Sequence, residues 1–153
     1  MESTPRFWYH VTQKGSVMDL RADFELQEEL LLVTASGELT LDAALRLLKQ
    51  LFDAANEKGV DRILVDCLAM SGELSTSDRY DLGAKAAAYS QREKSNKKLA
   101  IVGLPPTING FAVEVAQNRG LATAAFTTIP DAMAWLDAFR IGMRKPWLAD
   151  MEK

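Results

Sequence analysis

The stretch Ile63-Leu64-Val65-Asp66-Cys67-Leu68-Ala69-Met70-Ser71-Gly72-Glu73-Leu74-Ser75-Thr76-Ser77-Asp78-Arg79 decides how this chain is read. Ile63-Leu64-Val65 is a continuous apolar run, the signature of a strand buried on both faces of a parallel sheet. Asp66 closes that strand, and a short loop follows. Ser75, Thr76, Ser77 and Asp78 then open a helix, because hydroxyl and carboxylate side chains satisfy the orphan N–H groups of a first turn. Ser75-x-x-Asp78 resembles a capping box with Asp in place of the usual Glu or Gln. A buried strand, a loop and a capped helix form the repeating unit of an α/β domain.

Upstream, the apolar residues Met18, Leu20, Ala22, Phe24 and Leu26 alternate with Asp19, Arg21, Asp23, Glu25 and Gln27. This period of two predicts a strand with one wet face. Gln27-Glu28-Glu29 reads as a turn, and 30–35 as a second, more buried strand. The short connection makes the two antiparallel neighbours. Phe7 to Thr12 is β-prone and adds an extra edge strand, or an arm on a partner. Thr40 is the expected N-cap of the first helix, which carries Leu41, Ala44, Leu45, Leu48, Phe52 and Ala55 on one face and ends at Gly59. Asp42 with Arg46, and Lys49 with Asp53, are opposite charges at i,i+4.

Downstream, the helix begun at Ser75 continues through a run of small residues, and 95–98 is a solvated loop. Leu99 to Val102 is another buried strand, stopped by Gly103 and Pro105-Pro106. Phe111, Val115 and Ala116 mark a third helix ending at Gly120, and Ala122 to Phe126 a last strand. Thr128-Ile129-Pro130-Asp131 opens a fourth helix with Ala132, Trp135, Leu136 and Phe139 on its inner side. The predicted order is β-β-α-β-α-β-α-β-α, an α/β domain. Its sheet is mostly parallel, with an antiparallel edge, packed helices and right-handed crossovers. Residues 1–16 read as an N-terminal extension or extra strand, 17–139 as the domain, and 140–153 as a C-terminal tail.

The composition narrows the function. At 153 residues, 48% hydrophobic and 25% charged, the chain suits one globular domain. A net charge of −3 argues against a nucleic-acid surface. No apolar run is long enough for membrane insertion, and the N-terminus lacks a signal-peptide core. Cys67 is the single cysteine, which fits a reducing cytoplasm. One cysteine and one histidine make a zinc site improbable, and no nucleotide-binding glycine motif occurs, so neither metal nor cofactor is expected.

Few residues are left to carry chemistry. Asp66, at a strand end, stands where α/β sheets place ligand groups, but a lone acid is better read as accepting loop N–H bonds. Cys67 reads as a small core residue, because His10, the only base of a Cys–His dyad, lies far off in sequence. Pro105 to Gly110 reads as a structural turn, and Arg119 as complementing a helix C-terminus. Ser75, Thr76 and Ser77 are phospho-acceptor or partner-contact candidates whose simplest role is capping; Asp66 and Arg79 are loop contacts beside them. The small-residue helix is expected to pack inward. Its outer side, with Tyr80, Ala84, Ala88 and Tyr89, is a candidate homodimer interface. Arg144-Lys145-Pro146-Trp147 reads as a terminus, not a binding motif.

The ordered set of segments 33–40, 63–66, 99–102 and 126–136 resembles the STAS domains, the sulfate-transporter and anti-sigma-factor-antagonist superfamily. The nearest resemblance is to its small stand-alone bacterial members, over roughly residues 17–139. In the antagonist branch the helix after the corresponding strand opens with Asp-Ser-Ser-Gly, and a serine there is phosphorylated by a partner kinase. Leu74-Ser75-Thr76-Ser77 stands in that place, with Leu74 where the motif has Asp and Ser77 where it has Gly. The resemblance implies a non-enzymatic regulatory module that acts on a protein partner, with a degenerate phospho-switch. The alternative is a small-molecule or lipid-binding domain of the same fold. It requires an apolar pocket between helices and sheet, for which Trp8, Phe24, Phe111, Trp135 and Phe139 are the candidate lining.

Overall fold

The computed structural model describes residues 6–10, 19–92 and 96–141, with side chains over 19–92 and 96–138. The elements in chain order are β1 (Arg6–His10), β2 (Arg21–Gln27), β3 (Leu30–Glu38), α1 (Leu41–Lys58) and β4 (Arg62–Ser71). They continue with α2 (Thr76–Arg92), β5 (Lys98–Val102), α3 (Phe111–Asn118), β6 (Ala122–Phe126) and α4 (Ile129–Ile141). All six strands form one sheet in the order β1-β2-β3-β4-β5-β6. The β1–β2 and β2–β3 pairs are antiparallel, and β3 to β6 run parallel. The predicted order is therefore present, with the extra N-terminal strand at the edge of the sheet. Residues 144–147 of the tail lie outside the described residues.

Local chemistry sets the element ends. Thr40 has extended backbone angles, and its Oγ1 accepts from the Ala43 N–H at 3.2 Å. Gly59 closes α1 in the left-handed region at φ 70°, where a side chain would be strained. Lys49 and Asp53 form their expected pair at 3.0 Å. Ser75 Oγ accepts from the Asp78 N–H at 3.0 Å, and Thr128 Oγ1 from the Asp131 N–H at 3.3 Å. The two hydroxyls thus do for α2 and α4 what Thr40 does for α1.

Three right-handed crossovers along one direction of the sheet put α1, α2 and α3 on the same face. The main core lies there, with Val33, Ile63, Val65 and Leu99 of the strands against Leu47, Leu51 and Phe52 of α1 and Ala86 and Ala87 of α2. The opposite face of β4 and β5 presents Leu64, Ala100 and Val102, covered by Ala132 and Leu136 of α4. Buried Arg62 pins that helix by donating to half-exposed Asp137 at 3.1 Å. Helices α2 and α3 meet closely at Gly83, where an added Cβ would stand 2.3 Å from the Ala112 carbonyl oxygen.

Strand β4 is longer than the sequence reading expects. It runs on from Asp66 to Ser71, paired with Ser36, Gly37 and Glu38 of β3. The register shifts on the way: Thr34 pairs Asp66 and Ser36 pairs Ala69, so β4 carries one extra residue, a β-bulge. Asp66 is thus inside the ladder toward β3, although it is the last residue paired with β5, opposite Val102.

Candidate functional site

The bulge shapes the end of the sheet from which α2 departs. Alternation sends Ile63, Val65 and Cys67 toward the α1–α3 face. The extra residue resets that phase, so Met70 packs on the same core while Leu68 and Ala69 are left outside. Leu68 is 45% exposed. Leu104, two residues past the last β4–β5 pair on β5 as Leu68 is on β4, is 53% exposed. Tyr80, one turn into α2, is 45% exposed, and these three are the large exposed hydrophobic residues among the described positions. Ser75, Thr76 and Ser77 at the head of α2 are also exposed.

Each predicted site residue has a definite environment. Ser75 is the cap, while the hydroxyls of Thr76 and Ser77 lie in the first turn. Asp66 Oδ1 accepts from the Leu68 N–H at 3.0 Å, so the carboxylate stabilises the bulge and is not aimed at the hydroxyls. Leu74, standing where the antagonist motif has an acid, is buried in a small cluster with Leu39 and Ala44. A carboxylate there would lose its hydration, which gives a packing reason for the departure from the motif. Arg79 is only 6% exposed. Its Nη2 donates to the Pro106 carbonyl at 2.6 Å and lies 3.9 Å from the exposed Glu73 carboxylate. Arg79 therefore ties the start of α2 to the loop that carries Leu104.

Along α2 the buried residues are Arg79, Gly83, Ala86, Ala87 and Ser90, so the small residues serve helix and sheet packing. Ala84 is half-buried and Ala88 exposed, between exposed Asp81, Lys85 and Arg92. Tyr89 packs partly on the main core beneath the Arg92 guanidinium, 5.7 Å from its ring centre. Arg119 does more than complement a dipole: it stacks over Tyr80 at 5.4 Å and donates to its hydroxyl.

Among the described residues, catalytic groups do not converge. Cys67 is buried, and desolvation, aided by the Asp66 charge, pushes its thiol up to about 12. Along the ladder, His10 pairs Arg21, Arg21 pairs Ser36, and Ser36 pairs Ala69. Three strand spacings, about 14 Å of backbone, thus separate His10 from β4. Among the described residues, no group of three or more His, Cys, Asp or Glu is placed to hold a metal ion. No helix among them is long and apolar enough to cross a membrane.

A cavity of about 120 Å³ lies between β4–β5 and the three helices of the main core. Its lining is aliphatic, including Leu48, Val65, Leu82, Ala86, Ile101 and Ile108. Among the described residues, the aromatics expected from the sequence do not line it. Phe24 is a core residue outside it, Phe111 does not reach it, and Trp135 packs with Phe126 on the opposite face. The side chains of Trp8 and Phe139 are outside the described set.

A mixed sheet of this order, with three helices on one face and one on the other, is a STAS-like α/β fold. A solved anti-sigma factor antagonist from Mycobacterium paratuberculosis is similar to this chain, with a TM-score of 0.55 and 17% identity. The match covers 80% of this chain and 97% of the antagonist. An uncharacterised DUF3478-family protein with a SpoIIAA-like fold, from Shewanella loihica PV-4, matches at a TM-score of 0.47 and 22% identity. That match covers 81% of this chain and 98% of the other. No family model matches the sequence, and no curated protein does. At these identities the likeness is one of fold.

Proposed function

We propose that this chain is a non-enzymatic regulatory module that works by binding a protein partner, in the manner of anti-sigma-factor antagonists. The observation that carries this reading is the surface where α2 leaves the sheet. Leu68 and Leu104 are exposed, each two residues past the last β4–β5 pair, and Ser75, Thr76 and Ser77 are exposed at the head of α2. Exposed large apolar residues beside polar ones suit a protein contact. The absence of converging titratable groups among the described residues gives no support to an enzyme. The module would work in the cytoplasm of a bacterial cell, and the outer side of α2 at Tyr80, Ala84, Ala88 and Tyr89 remains a proposed contact between two copies.

The head of α2 acts in this reading as a contact surface at the place of a phospho-switch, because Leu74 and Ser77 break the signature. A phosphate on these hydroxyls would gain from the helix dipole and lose from neighbouring Glu73 and Asp78. Mass spectrometry of the protein from its native cells is expected to find Ser75, Thr76 and Ser77 unmodified. A phosphate on a large share of molecules at any of the three would replace the contact reading with a switch.

A further inference from the structure

We propose that the outer edge of β6 is a docking strand for a second copy of this chain, the two β6 strands pairing antiparallel about Ala125. The inference does not depend on partner binding at Leu68 and Leu104, and it uses a different surface from the outer side of α2.

β6 is the last strand of the described sheet, and its backbone groups point alternately toward β5 and away from it. The Phe126 carbonyl accepts from the Gly103 N–H at 2.9 Å, so Ala122, Ala124 and Phe126 are the residues bonded to β5. Thr123 and Ala125 therefore direct their N–H and C=O groups outward. The Thr123 carbonyl already accepts from Gln117 Nε2 at 2.7 Å. Among the described residues, none bonds the N–H or the carbonyl of exposed Ala125. Setting Ala125 opposite itself across a two-fold axis joins these groups in a reciprocal pair of hydrogen bonds and leaves Gln117 in place.

Charge selects a second copy as the occupant. Sheet edges are ordinarily guarded by charge, proline or a bulge. The edge at β1 carries Arg6 and His10. β6 reads Ala-Thr-Ala-Ala-Phe, and its register with β5 runs without a shift. Self-pairing sets a strand against its own sequence, and an uncharged strand meets no like charge there. The nearest charges along the chain are Arg119 before β6 and Asp131 after it, both exposed and equally far in sequence from Ala125. Antiparallel docking brings the Arg119 end of each strand to the Asp131 end of the other, so the charges complement at both ends. On the α4 face the same register sets half-buried Phe126 of one copy opposite Ala124 of the other. The two sheets then point their Leu68 and Leu104 ends in opposite directions.

The test is sedimentation velocity of the full chain over a range of concentrations. The contact is small, so dimers are expected to form at about 100 µM and not in the nanomolar range. Ala125→Pro removes an N–H that the monomer does not use and should weaken association at least about tenfold. Ala125→Lys and Ala125→Glu each set like charges opposite one another and should weaken it several-fold, while an equal mixture of the two should associate at least as well as the wild type. Ala88→Lys, on the outer side of α2, should associate as the wild type does. Should Ala125→Pro not fold, the two charge variants carry the test, because Ala125 is exposed. The proposal is overturned if the wild type stays monomeric at about 1 mM, if folded Ala125→Lys associates as the wild type does, if the mixture does no better than either variant alone, or if Ala88→Lys abolishes association.

Discussion

Gly83→Ala is expected to unfold at lower urea concentration than the wild type, with a loss of about 2 kcal/mol in stability. Two opposed effects decide the sign. Alanine inside a helix gains about 1 kcal/mol over glycine from propensity. Against that, its methyl would stand 2.3 Å from the Ala112 carbonyl oxygen and 2.9 Å from the Val115 Cβ. The oxygen belongs to the backbone of α3 and cannot rotate away, so the two helices must separate. Overpacking of this kind costs about 1–3 kcal/mol and occasionally more, and the separation also loosens the wall of the cavity. Gly83→Leu should lose more. An unchanged denaturant slope would show that the loss lies in the native packing. An alanine variant as stable as the wild type would mean that α2 and α3 are not in this close contact.

Cys67 is expected to be almost inert toward a thiol reagent while the chain is folded. With its thiol pushed up to about 12 by burial, first, and by Asp66, second, about one molecule in ten thousand is thiolate at pH 8. Unfolding should therefore raise the labelling rate by about a thousandfold. The same shift makes stability depend on pH. The folded pKa lies above the ordinary value of 9.0, so between about pH 9 and 12 the native state keeps a proton that the unfolded chain releases. Stability is then full below pH 9 and falls as the pH rises through that window. Cys67→Ala should lack this part of the decline. Immediate labelling of the folded protein, or identical pH slopes for the two proteins, would contradict the burial.

Much of the fold is legible in the sequence because it rests on local signals. The alternation over 20–26, the apolar runs at 63–65 and 99–102, and the hydroxyls at 40, 75 and 128 each act within a few residues, and the caps stand where those hydroxyls predict. The bulge in β4 is different. It exists only in the pairing with β3, so residues 67–71 read as a loop when they in fact continue the strand. The exposure of Leu68 follows from the same shift. Leu104, an apolar residue held between Gly103 and Pro105, was a signal available in the sequence. In sequence, Trp135 and Phe24 read as one set of aromatics around a shared pocket. Crossover handedness assigns them to opposite faces of the sheet, with Trp135 beneath α4. Arg79 stands on the buried face of α2, four residues before Gly83 and seven before Ala86, but its charge hides that placement in the sequence. The loop after β5 supplies the carbonyl that its guanidinium donates to.

The central claim is that the chain acts by holding a protein at the end of the sheet marked by Leu68 and Leu104. The most direct test is quantitative capture from the source cells with tagged wild type and with the Leu68→Asp/Leu104→Asp double variant. Both residues are exposed, so the variant should unfold at nearly the same urea concentration as the wild type. The wild type is expected to enrich a protein that the variant loses by at least about tenfold, as for apolar residues central to an interface. Equal recovery of every captured protein by a folded double variant would contradict the account.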